Sequence, residues 1–101
     1  MNTLHVHLQP AHAGTLESSD AFVRVMQNDQ AGVEIVLESS VAEIYGDAIE
    51  ALVLQTVLSM NVDRVKVTIQ DKGALDFVIK ARVQTALLRA LGVNEPDWST
   101  L

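Results

Sequence analysis

The chain has no cysteine. That excludes a disulfide framework and any thiolate-ligated zinc or iron–sulfur site, makes a reducing cytoplasm the simplest setting, and requires any thiol chemistry to be imported. Cations are scarce: seven Lys plus Arg stand against 13 Asp plus Glu, a net charge of −6. Such a surface repels a phosphate backbone, which argues against nucleic-acid binding. Long apolar runs are lacking too, since the most apolar segment, Ala48 to Met60, is broken by Glu50, Gln55, Thr56 and Ser59. The start, Met1-Asn2-Thr3-Leu4-His5-Val6-His7, has no basic stretch leading into an apolar one. Neither a membrane span nor a signal peptide is predicted. There is no Gly-Lys-Ser/Thr phosphate loop and no Gly-x-Gly-x-x-Gly. What remains is 101 residues, 49% of them hydrophobic, enough for one core and too short for two.

Residues 1–12 hold all three histidines (His5, His7, His12) and Pro10 without a lasting hydrophobic period, and read as an N-terminal arm. The domain is expected over 13–94, with a tail at 95–101. Ala21, Val23 and Val25 alternate with Phe22, Arg24 and Met26, and after the turn-rich Asn28 to Gly32, Val33, Ile35 and Leu37 alternate with Glu34 and Glu38. The pattern predicts a β-hairpin with one buried face. Ser40 followed by Glu43 has capping-box spacing, so a helix is expected from there to about Asn61, with Ile44/Tyr45, Ala48/Ile49, Leu52/Val53, Val57 and Met60 as its apolar stripe. Arg64 to Gln70 alternates strictly and is the clearest strand. Asp71-Lys72-Gly73 makes a turn into a second helix, about Leu75 to Leu91, ended by Gly92. The β-β-α-β-α order predicts an α+β two-layer sandwich, a sheet of three to four strands with two helices on one face. Its strand order cannot be read from the pattern.

The histidines lie where no stiff frame can complete a metal site, so no metal is expected. A Ser18–His12–Asp20 triad can be written on paper, but no nucleophile elbow or oxyanion-donor motif supports it. Trp98 reads as a packing anchor for the tail. More informative is a tetrapeptide that occurs twice, Leu16-Glu17-Ser18-Ser19 and Leu37-Glu38-Ser39-Ser40. The second copy precedes a helix. The first leads into a strand and has no capping role, leaving two hydroxyls between Glu17 and Asp20 on an exposed turn.

Ala13-Gly14-Thr15-Leu16-Glu17-Ser18-Ser19-Asp20, followed by Val23-Arg24-Val25, resembles the prosthetic-group attachment segment of the acyl carrier (gamma) subunits of citrate lyases. The resemblance continues through Gly46-Asp47-Ala48-Ile49, Asp71-Lys72-Gly73-Ala74-Leu75 and Lys80-Ala81-Arg82-Val83-Gln84, and Trp98-Ser99-Thr100-Leu101 is similar to the ending of some members. Members often read Glu-Ser-Gly-Asp at the attachment turn, so the modified serine corresponds to Ser18 and Ser19 takes the place of the glycine. The departures are a longer N-terminal arm and drift near Asn28 to Gly32, neither touching that segment. The acyl carrier of malonate decarboxylase is the nearest alternative family.

The resemblance implies that Ser18 carries 2′-(5″-phosphoribosyl)-3′-dephospho-CoA through a phosphodiester, installed by a dedicated transferase, and that the far thiol of that group bears the acyl cargo. It implies a cytoplasmic, non-catalytic carrier. Its partners would be an alpha subunit exchanging acetyl for citrate, a beta subunit cleaving the citryl thioester to oxaloacetate, and an acetylating ligase. The absence of cysteine is consistent with this, because the thiol must arrive on a cofactor. Glu17 and Asp20 either mark the turn for the transferase or keep it solvated, and Asp71-Lys72-Gly73 needs to be no more than a turn. A cofactor-free interaction domain and a small self-sufficient enzyme are the rival classes.

Overall fold

The strictest alternation in the chain, Arg64 to Asp71, becomes the centre of the sheet. In the computed structural model, which describes residues 7–92, the order is β1 (Ala11–Gly14), β2 (Ala21–Gln27), β3 (Gly32–Ser39), α1 (Ala42–Ser59), β4 (Arg64–Asp71) and α2 (Asp76–Ala90). The four strands form one sheet ordered β1-β2-β4-β3, with β2 antiparallel and β3 parallel to β4. Ala21, Val23 and Val25 of β2 and Val65, Val67 and Ile69 of β4 are buried beneath Ile49, Val53 and Val57 of α1 and Ile79, Val83, Ala86 and Leu87 of α2. Both helices therefore cover one face, the α+β two-layer sandwich read from the pattern. On edge strand β3 the inward Val33, Ile35 and Leu37 are only partly buried, because among the described residues one side of their strand has no neighbour.

The hairpin expected between β2 and β3 does not form, for β4 lies between them. Four residues, Asn28 to Ala31, reach about 13 Å when extended, more than the roughly 10 Å across one intervening strand. That connection passes over the start of β4, where Asn28 N donates to Arg64 O (3.2 Å) and Gly32 N to Asp63 O (2.6 Å). The tight antiparallel connection is instead between β1 and β2, with Ala11 opposite Val25 and Gly14 opposite Phe22.

Structure also begins earlier than Ala13. Leu8 is 1% exposed, its amide donates to Gln27 Oε1 (2.9 Å), and Gln9 N donates to Ala90 O (2.9 Å). The last residues of the expected arm are thus core and edge strand. His5 and the tail, including Trp98, fall outside the described residues. Among the described residues, no helix is long and apolar enough to cross a membrane.

Helix α1 has Val41 as its N-cap, with no side-chain cap bond, so the Ser40–Glu43 capping box is absent. Ser39 does that local work: its Oγ accepts from Val41 N (3.1 Å) and donates to Asp71 Oδ2 (2.7 Å). The hydroxyl so used is that of Ser39, one residue before the expected cap, and its other partner is a carboxylate from a distant strand. The apolar stripe of α1 is also longer than the face it buries: Ile49, Val53, Thr56 and Val57 are inside, while Ile44, Tyr45 and Ala48 are outside.

Candidate functional site: a braced serine turn

The β1–β2 loop, Thr15 to Asp20, stands at the end of the sheet where both helices begin, because Ala21 pairs with Asp71 and Ser39 pairs with Asp71 from the other side. Gly14 opens the loop at φ 92° with its α-carbon against the Ala21 carbonyl, where a Cβ would overlap that oxygen. Only glycine combines this conformation with so close an approach.

Asp20 closes the loop. Its Oδ1 accepts from Arg82 Nε (2.9 Å) and from Ala21 N (2.7 Å), and its Oδ2 from Arg82 Nη2 (3.1 Å) and Thr15 Oγ1 (2.7 Å). Thr15 Oγ1 in turn accepts from Glu17 N (3.1 Å). The Arg82 guanidinium, with the Thr15 and Ala21 donors, holds the Asp20 carboxyl well below the usual carboxylate range against the opposing effect of partial burial. Asp20 thereby has a structural role that neither of its two sequence readings, marking the turn or keeping it solvated, named: it is the clamp that ties the loop to the middle of α2.

Between these anchors, Asp20 N donates to Glu17 O (3.1 Å), closing a β-turn with Ser18 and Ser19 at its centre. Ser19 has φ 66°, at the second central position, where a type II turn calls for glycine. Its amide donates to Lys72 O (2.8 Å), and Lys72 N donates back to Asp20 O (2.9 Å), so the turn is laced to the β4–α2 connection. Ser18 is the exposed first central residue, and no hydrogen bond to its hydroxyl occurs among the described residues. Both hydroxyls are exposed and neither has a hydrogen bond among the described residues; the backbone differs, Ser19 holding the positive-φ, glycine-like position and Ser18 the one before it.

The turn beyond β4 is structural as read. Asp71 is 1% exposed and accepts from Ser39 Oγ and from Ala74 N (2.9 Å). The paper triad does not assemble. His12 lies on the outer face of β1, edge-on to the Phe22 ring (centroids 5.4 Å apart), while Asp20 is bound to Arg82 and Thr15. Among the described residues, no three His, Cys, Asp or Glu cluster as metal ligands. Arg82 was missed as a partner of the loop, 62 residues from Asp20. It sits in the Lys80 to Gln84 segment of the resemblance but reads there as one more cation on a helix.

The family model described as malonate decarboxylase delta subunit (MdcD) matches residues 8–90. A citrate lyase acyl carrier protein of Vibrio cholerae serotype O1 is 53% identical over 92 residues, covering 91% of this chain and 94% of that protein. Citrate lyase acyl carrier protein 2 of Salmonella paratyphi A is 44% identical over 94 residues, covering 93% of this chain and 97% of that protein. In fold, the chain is similar to a chain of a Pseudomonas malonate decarboxylase hetero-tetramer crystallised with malonate, at a TM-score of 0.61 and 20% identity, covering 89% of this chain and 99% of that one. The matched stretch spans β1 through α2 and so includes the braced turn and the arginine that clamps it; the chain belongs to the acyl carrier family that includes the citrate lyase acyl carrier proteins and the malonate decarboxylase delta subunits.

Proposed function

We propose that the chain is the acyl carrier subunit of a citrate lyase and that Ser18 is the attachment point of a covalent 2′-(5″-phosphoribosyl)-3′-dephospho-CoA group. The observation that carries this reading is the turn itself: Ser18 is exposed at the centre of a loop whose flanks are held by Asp20–Arg82 and by Ser19–Lys72. An unencumbered hydroxyl on a fixed turn fits a phosphodiester anchor, because esterification there breaks no internal bond and a stiff root limits where the arm can reach. When bound, the group supplies the thiol that a chain without cysteine lacks.

The chain's own residues bind and orient. Asp20 is committed to Arg82 and His12 to the outer sheet face, so neither serves Ser18 as a base. The base for attachment belongs to the transferase. The chain contributes no acid–base step, and its partners are the alpha and beta subunits of the lyase, the prosthetic-group transferase and the acetylating ligase, all in the cytoplasm. A tether on Ser18 holds its cargo at high effective concentration near two active sites in turn. Malonate-decarboxylase-type cargo is the second reading, favoured by the family model over residues 8–90; the 53% and 44% identical relatives favour the first.

Intact-mass spectrometry of the chain from citrate-grown native cells, with fragmentation of the Leu16 to Arg24 peptide, tests the reading. The expected result is one phosphoribosyl-dephospho-CoA increment on Ser18, lost in Ser18→Ala and retained in Ser19→Ala. An unmodified native chain, or a Ser18→Ala variant that still acquires the group, would overturn it.

A further inference from the structure

The first turns of the two helices leave an apolar surface that the core does not use. Ile44 is 78% exposed, Tyr45 56%, Leu75 63% and Phe77 68%. Tyr45, Leu75 and Phe77 line a groove of about 770 Å³ with Val41, Ile49 and Ala74, and Ile44 precedes Tyr45 on the same helix turn. Four large apolar side chains exposed side by side on a small domain mark an interaction site. The patch adjoins the serine turn: Ser19 N is bonded to Lys72 O, and Gly73, the next residue, lines the groove.

Resting on the carrier reading above, we infer that this face docks the carrier onto the lyase subunit that receives the arm, a protein surface with an apolar hollow ringed by basic side chains. The basic ring follows from charge. Glu43 and Asp47 flank Ile44, Asp76 lines the groove and Glu17 stands on the serine turn, against Lys72 and Lys80 as the neighbouring cations. None of these takes part in an ion pair among the described residues, where Arg82–Asp20 is the sole one. A second copy of the chain is a poor occupant, because a two-fold interface would set the same carboxylates against themselves. The arm is too slender to cover side chains that spread over two helices. A docked subunit would cover the patch and receive the root of the arm at the interface edge, so that one contact both binds the carrier and aims its cargo.

The test uses full-length chain co-expressed with the transferase, carrying Ile44→Ser, Phe77→Ser or both, with Leu58→Ser as control. Leu58 is 54% exposed and lies about 20 Å further along α1 from Tyr45. Intact mass first measures loading at Ser18. Each loaded carrier is then titrated calorimetrically into the assembled alpha and beta subunits. The expected result is normal loading and melting in all variants, a Kd raised by more than about tenfold for each patch variant and by less than about twofold for Leu58→Ser. Wild-type affinity should also fall as salt rises. Unchanged binding by Ile44→Ser and Phe77→Ser would overturn the surface while leaving the carrier reading intact. Loss of loading instead of binding would overturn it in favour of the transferase, and a change confined to self-association would overturn it in favour of a second copy. A wild-type chain that is neither modified nor bound would remove the carrier reading and this surface together.

Discussion

Replacing Arg82 by Ala takes both guanidinium donors from Asp20 and so releases the serine turn from α2. The Asp20 side chain is 14% exposed and that of Arg82 39%, which places the pair between two known limits. A hydrogen bond to a buried charged group contributes about 1.5–3 kcal/mol, and a solvent-exposed ion pair about 0.2–1. With the arginine more than a third exposed, about 1–2 kcal/mol is expected for the bidentate contact after screening. For a domain of this size that lowers Tm by roughly 5–10 °C. The pH dependence has a definite sign. The folded Asp20 carboxyl is held below its ordinary value of 3.8, so its contribution is fully present above pH 3.8 and is lost as pH falls from there through the folded value. Urea unfolding of wild type, Asp20→Asn, Arg82→Ala and the double variant measures the coupling directly. The expected coupling is about 1–2 kcal/mol at pH 7, shrinking on acidification below pH 3.8. A coupling under about 0.3 kcal/mol at pH 7, or one unchanged down to pH 2, would refute the clamp.

Ser19→Gly should raise stability by about 0.5–1 kcal/mol in a thermal melt, the relief of a positive φ outweighing glycine's extra chain entropy. It should leave modification of Ser18 intact, and a destabilised variant would contradict the turn assignment. Gly14→Ala should cost more than about 2 kcal/mol by urea unfolding, because it adds overlap with the Ala21 carbonyl to an unfavourable φ. Gly32→Ala, at φ 115° with open space around it, should cost only about 1 kcal/mol. Leu8→Ala should cost about 2–4 kcal/mol, and a change below about 0.5 would mean that residues before Ala11 do not belong to the core.

Alternation made β2 and β4 legible, since period-two burial is imposed by the pleat and survives whatever the neighbours are. The same signal in β3 carried no information on its partner. A hairpin and a split pair have the same local pattern, and the choice went to β4 because α1 returns the chain beside β3. The capping box failed for a related reason. Ser40 and Glu43 satisfy a local rule, but the hydroxyl that meets Val41 N is that of Ser39, held by Asp71 32 residues away, an arrangement that only the register of β3 on β4 brings about. His12 was assigned to an arm because four residues of edge strand are too few to show a period.

The exposed serine turn was legible in residues 13–20, because a glycine-opened, strand-preceding segment leaves its hydroxyls no helix to cap. The absence of cysteine likewise fixed, before any fold was known, that thiol chemistry must come from outside the chain. What tertiary structure alone decided is the backbone setting of the two serines, with Ser19 at a positive φ and its amide bonded across to Lys72. That depends on the Ser19–Lys72 and Asp20–Arg82 contacts, which join residues 53 and 62 positions apart and exist only once β4 and α2 are packed against the β1–β2 loop.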